Sequence, residues 1–233
     1  MLGLFRLYTA EVKKYQLKNT FKYFFRWRKS LEPGASSVKE EQPWITFNAI
    51  DFLDANLKST DKVFEYGGGG STLFFAKRVA EVVTVEHNEE WFKILSETIA
   101  EKKIKSWKGN FVLPEKGDLV SPPDFANPEH YSADDLPSYG FNYKKYVSVI
   151  DTHADNYFDC VIVDGRSRPA CIKHSMSKIK KGGFLVLDNS DRKYYLTQTE
   201  SLLANQFEKI IGDFGPSPYA QVFTHTTIWK KIK

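Results

Sequence analysis

Four short apolar runs constrain the fold of this chain more than any other feature. They are Val63-Phe64, Val82-Val83-Thr84-Val85, Cys160-Val161-Ile162-Val163 and Phe184-Leu185-Val186-Leu187, each with an acidic residue at its end (Glu65, Glu86, Asp164, Asp188). Runs this short and this apolar suit strands buried on both faces, as in a parallel sheet covered by helices. Helical spacing falls between them. Ile45 to Leu57 repeats at helical period, Thr72–Val79 follows the first strand, and Asn88 can cap a helix carrying Trp91, Ile94, Leu95 and Ile99. Further helices are predicted from Pro169 to Ile179, stopped by Lys181-Gly182-Gly183, and from Lys193 to Asn205. A third strand is placed at Asn110-Phe111-Val112-Leu113. Two last strands, near 207–213 and 221–230, have no helical pattern between them. The prediction is therefore an α/β fold: a mostly parallel seven-stranded sheet, helices on both faces, and a C-terminal antiparallel hairpin turning at Gly215–Tyr219.

Two segments break the rhythm. Residues 114–145 hold five of the ten prolines and read as an insertion serving as a lid or binding loop. Residues 1–42 read as a helical arm and linker, broken at Pro33-Gly34-Ala35-Ser36-Ser37, ahead of a domain over 43–233. Charge is concentrated in the arm: residues 1–30 carry eight Lys/Arg against one acid, Glu11, although the whole chain is only +4. The arm can dock on the domain, pair with a second subunit in a homo-oligomer, or lie on an anionic membrane surface. Because the body of the chain is slightly acidic, a nucleic-acid partner is disfavoured and a small-molecule or glycan substrate preferred. Two cysteines make neither a disulfide framework nor a zinc spacing. No apolar run is long enough to span a bilayer, so the chain is expected to be cytoplasmic, with peripheral membrane attachment through the arm.

In open α/β sheets, ligands bind beyond the carboxyl ends of the strands. The polar clusters lie there: Glu65 with the turn Gly67-Gly68-Gly69-Gly70-Ser71-Thr72, Glu86-His87, Asp164-Gly165-Arg166, and Asp188-Asn189. The glycine turn lacks the Gly-Lys-Ser/Thr ending of a P-loop. Thr72 stands where a dinucleotide fingerprint wants its third glycine, which weakens that reading without removing it. Glu65 is a carboxylate where a diphosphate would prefer none, and it suits an ammonium group instead. Glu86 can accept both hydroxyls of a ribose, with His87 beside it.

The motif Glu-Tyr-Gly-Gly-Gly-Gly-Ser-Thr resembles the first motif of class I S-adenosylmethionine-dependent methyltransferases. The succession V-V-T-V-E-H, F-D-C-V-I-V-D-G and K-K-G-G-F-L-V-L-D-N is similar to that family over about residues 44–230, the insertion apart. The resemblance implies a Rossmann-like sheet, with Glu65 and Gly67–Gly69 at the methionine end of S-adenosylmethionine, Ser71 and Thr72 in the same turn, Glu86 on the ribose, and Asp118 against adenine.

Asp164, Asp188 and Asn189 are hard oxygen donors from adjacent strand ends and could hold Mg²⁺ or another divalent cation. They also resemble the metal triad of the catechol and caffeoyl-CoA O-methyltransferases, where a lysine follows the first aspartate; here Gly165-Arg166-Ser167-Arg168 follows. Without a metal, Asp164 or Asp188 could act as general base. Arg166 and Arg168 suit an anionic substrate group. The reading is O-methylation of a small or glycan-like acidic substrate. A nicotinamide-dependent oxidoreductase and a non-catalytic binding module are the rivals.

Overall fold

The structure, a computed structural model, describes residues 2–117 and 122–233. Asp118 lies outside the described residues. Seven strands form the main sheet: β1 Lys62–Tyr66, β2 Glu81–Glu86, β3 Trp107–Phe111, β4 Phe158–Val163, β5 Ile179–Asp188, β6 Phe207–Gly215 and β7 Thr224–Lys231. Their order is β3-β2-β1-β4-β5-β7-β6. β3, β2, β1, β4 and β5 run parallel, and β7 is inserted antiparallel between β5 and β6. The predicted α/β sheet and hairpin are those observed; β7 is internal, and only β6 forms the edge on that side.

The apolar runs alternate across the sheet. Phe64, Val83, Val161 and Leu185 point to one core, and Val63, Val82, Ile162 and Val186 to the other. Among the described residues nine α-helices surround it: α1 Leu2–Lys14, α2 Phe24–Ser30, α3 Ser37–Glu40, α4 Phe47–Asn56, α5 Gly70–Ala76, α6 Glu89–Glu101, α7 Lys144–Val147, α8 Arg168–Lys178 and α9 Glu200–Gln206. The first core is closed by α7, α8 and Leu203 of α9, and the second by α4, α5 and the N-terminal arm.

The arm is built into the domain. Tyr8 and Trp27 are fully buried, the Trp27 indole donates to the Ala220 carbonyl at 2.8 Å, and the Phe223 amide donates to Glu11 at 2.8 Å. Tyr15 stacks on Phe214 with centroids 3.9 Å apart.

Three boundaries differ from the sequence reading. The helix expected over Lys193–Asn205 is a 3-10 turn, Lys193–Tyr195, followed by α9. Thr199 interrupts it, fully buried with its hydroxyl on the Tyr195 carbonyl. Strand β5 begins at Ile179, ahead of the glycines, and Gly182 takes a left-handed φ of 84° within it. β3 starts at Trp107 because the sheet edge demands less apolar burial than its centre. The described part of the 114–145 insertion is also packed: Glu115-Lys116 pair with Phe141-Asn142, and Ala133 and Tyr143 enter the core.

Candidate functional site

The carboxyl ends of β1, β2 and β4 open onto a cleft of about 560 Å³. Gly67–Ser71, Glu86, His87, Asp164 and Arg166 all line it, so most of the residues singled out in the sequence converge. It also has walls that the sequence did not announce: Ser37 at the start of α3, Trp44 just ahead of α4, and Trp91 and Ile94 on α6. The Trp91 indole donates to the Gly68 carbonyl and its ring covers Gly69. The position of Trp91, in the first turn of the helix that Asn88 caps after β2, is the signal that could have flagged it.

The turn is tight because its neighbours leave no room. Gly67 has φ 87°, and a side chain there would press on the Asp164 carbonyl at 3.1 Å. At Gly70 a Cβ would collide with the Ser37 carbonyl and approach that of Gln42 at 2.6 Å, so the linker lies directly on the start of α5.

Glu65 is not part of the cleft wall, contrary to the ammonium-binding role expected of it. Register places Thr84 opposite it on β2, and the Thr84 hydroxyl donates to its Oε2 at 2.8 Å. Thr72 donates to the same oxygen at 2.5 Å and Ser71 to Oε1. The carboxyl is fully buried, and burial pushes its pKa up to about 7 against these three hydroxyls. Thr72 is buried too, and its hydroxyl accepts the Gly69 amide at 3.0 Å. Glu65 and Thr72 therefore build the turn from behind, while Ser71 reaches the cleft with its hydroxyl already engaged.

Glu86 does face the cleft. Its Oε2 accepts the Gly68 amide at 3.0 Å, and its Oε1 accepts those of His87 and Asn88 at 2.7 and 2.8 Å. Burial raises its pKa, but His87 and the backbone amides outweigh burial and hold it below the ordinary carboxylate range. His87 Nδ1 lies 3.0 Å from Oε1. The first three amides of the glycine turn are thereby spent: Gly67 on the Val85 carbonyl, Gly68 on Glu86, Gly69 on Thr72.

The metal triad is corrected by Arg168. Its guanidinium, almost fully buried, bridges the ends of β4 and β5. Nε donates to the Gly165 carbonyl at 3.1 Å, Nη2 to Asp164 Oδ1 at 3.0 Å, and Nη1 to the Asp188 carbonyl. A fixed positive charge thus stands where the triad would put a cation. Among the described residues no group of three or more His, Cys, Asp or Glu side chains is placed to hold a metal ion. The residues present do not fit a divalent cation. Arg168 is likewise no free receptor for a substrate anion.

Asp188 is enclosed, its Oδ1 accepting from Thr226 at 2.8 Å, with its pKa pushed up to about 7 by burial and then by Asp164. It reaches neither the cleft nor the neighbouring cavity, so it is not placed to act as general base. Asp164 keeps 34% side-chain exposure and is the carboxylate of this pair that lines the cleft.

A second cavity of about 240 Å³ adjoins the cleft through Gly165 and Arg166. Its lining includes Ser132, Arg166, Asn189, Arg192 and Tyr194. Three buried polar atoms in this wall find no hydrogen-bond partner among the described residues: Ser132 Oγ, Arg166 Nε and Tyr194 Oη. Asp134 and Asp135 also line it, and Asp135 approaches Arg166 at 3.3 Å. Asn189, left-handed at φ 48°, lines this cavity and not the cleft.

No family model and no curated protein matches the chain. Solved structures do match in shape. A protein from Klebsiella pneumoniae provisionally assigned as an O-methyltransferase superposes with a TM-score of 0.56 at 10% identity, covering 98% of this chain and 97% of its own. An rRNA methylase, also provisionally assigned, from Clostridium thermocellum gives 0.55 at 12% identity, covering 80% and 94%. A provisionally assigned methyltransferase from Streptococcus mutans, in complex with SAH (S-adenosylhomocysteine), gives 0.53 at 13% identity, covering 78% and 94%. The chain has the class I methyltransferase fold. In that fold the cleft above Gly67–Ser71 lies beyond the carboxyl end of the first strand, with Glu86 and Asp164 at the ends of its two neighbours.

Proposed function

We propose that the protein is an S-adenosylmethionine-dependent methyltransferase acting on oxygen of a small or glycan-like acceptor with an anionic group. One observation carries the cofactor reading. The amides of Gly67, Gly68 and Gly69 are consumed internally, while Glu86 is held ionised at the cleft beside the glycine turn, where it can accept the hydroxyls of a ribose. The nicotinamide alternative is disfavoured by Thr72, which stands where a dinucleotide turn wants its third glycine. Glu86 would hold the ribose, Gly67–Gly69 the methionine end, and Trp91 and Ile94 the apolar wall.

S-adenosylmethionine, when bound, supplies an electrophilic methyl on a sulfonium that leaves readily. The chain then has chiefly to align an acceptor and receive its proton. Asp164 stands where the cleft meets the second cavity. Arg168 fixes Asp164 Oδ1, which leaves the other oxygen to take the proton of an acceptor hydroxyl. Arg166, with Ser132 and Tyr194, offers unused donors to a carboxylate or phosphate on the acceptor. The insertion supplies Ser132 to that cavity, in keeping with a binding loop.

Isothermal titration tests the reading. S-adenosylhomocysteine should bind in the micromolar range and NAD should not. Glu86→Ala should abolish that binding, whereas Arg166→Ala should leave it within about threefold, because Arg166 serves the acceptor. Binding of NAD in place of S-adenosylhomocysteine would overturn it.

A further inference from the structure

The arm turns two different faces outward and inward. Tyr8, Val12, Phe24 and Trp27 go into the core, while Leu2, Phe5, Phe21 and Phe25 stay at the surface; Phe25 is 74% exposed and Leu2 73%. These side chains form one apolar surface. Phe5 meets Phe21 at 6.5 Å and Phe24 at 5.4 Å, and Phe24 meets Phe25 at 5.4 Å. Among the described residues Leu2, Phe5, Phe21, Phe24 and Phe25 line it.

Each exposed phenylalanine is followed at once by an exposed base: Phe5-Arg6, Phe21-Lys22, Phe25-Arg26. Lys13, Lys14, Lys18 and Lys29 are exposed as well. The single acid of the arm, Glu11, is buried and turned towards the Phe223 amide. Among the described residues Arg6, Lys13, Lys18, Lys22 and Lys29 have no carboxylate partner, whereas Arg26 pairs with Asp51 and Lys14 with Glu11.

We propose that this face docks the protein on an anionic lipid bilayer, its phenylalanines entering the interface and its lysines and arginines meeting lipid phosphates and carboxylates. Exposed apolar side chains on helices that also carry exposed, unpaired cations are the chemistry of an interfacial anchor. A second copy of the chain fits less well, because a two-fold contact would oppose seven exposed cations to seven. RNA fits less well too, because the apolar surface has no polar side chain within it to read bases or phosphates.

Co-sedimentation with phosphatidylcholine vesicles, with and without phosphatidylserine, decides the matter. The wild-type chain should pellet with the anionic vesicles and be released by salt. Lys22→Glu with Lys29→Glu should weaken binding by about fivefold or more for each cation reversed. Phe5→Ser with Phe25→Ser, both at exposed positions, should weaken it by about tenfold or more, with an unchanged circular dichroism spectrum. The proposal falls if the wild type stays in the supernatant, or if both variants bind like it. It also falls if the phenylalanine pair dissociates a wild-type dimer, or weakens RNA binding in place of vesicle binding.

Discussion

Glu65 illustrates what a single residue does in this site. Its ionised form is opposed by complete burial, and its three hydroxyl partners only partly compensate. A carboxyl whose native pKa lies above its unfolded value binds its proton more tightly when folded. Stability is then greatest at low pH and falls as pH rises from 4.5 towards about 7. The loss reaches about 3 kcal/mol for this group, and Asp188 adds a term of the same sign. Urea unfolding at about pH 5 and about pH 8 should show it, and Glu65→Gln should flatten the difference. Glu65→Ala strands three hydroxyls and should cost about 2–3 kcal/mol even at the lower pH; equal midpoints for all three proteins would refute the assignment. The sequence made Glu65 visible as a site residue but misjudged its task. Two of its partners lie in the following turn, and the third is set by the β1–β2 register, which no local pattern reports. Arg168 was misjudged for the same reason. Its guanidinium ties two strand ends that adjoin only after folding.

At the scale of elements, the strands were legible because burial on both faces leaves an uninterrupted apolar run, and the polar residues at their ends marked the cleft. What escaped was contributed by segments with no strong pattern of their own: Ser37 and Trp44 on the stretch leading into α4, and Ser132 in the proline-rich insertion. The helix boundary after Asp188 escaped as well, because a buried Thr199 outweighed local helical spacing. Gly70 records the linker's presence most sharply. Its backbone needs no special freedom, yet a methyl group there meets two carbonyls of residues 37 and 42. Gly70→Ala should therefore cost about 1–3 kcal/mol of stability through overpacking. It should also weaken S-adenosylhomocysteine by about tenfold, as α5 and the linker separate. Calorimetry on the purified variant would read both effects; a variant with wild-type affinity would show that the linker is not a wall of the site.

For the whole molecule, the arm is the main departure from a two-part chain. Composition divides residues 1–42 from the rest, but packing does not, since Tyr8 and Trp27 belong to the same core as α4 and α5. Trp27→Ala should lower stability by about 3–5 kcal/mol, seen as a lower thermal midpoint. Removal of residues 1–30 should unfold the hairpin side of the sheet rather than release an independent domain. A truncated chain melting like the full one would contradict this. Charge pattern and core pattern are superimposed on the same helices; the sequence left docking on the domain as one of three roles for the arm, and packing selects it.

Ser37 and Trp44 stand with one side on the cleft and the other on the path back to the arm. If a ligand in the cleft gains contact with them only when the arm is seated, it holds the arm down more firmly, and by reciprocity an arm pinned from outside raises the affinity of the cleft. If the arm rests on a bilayer, occupancy of the small-molecule site and residence at the membrane are two readings of one free energy.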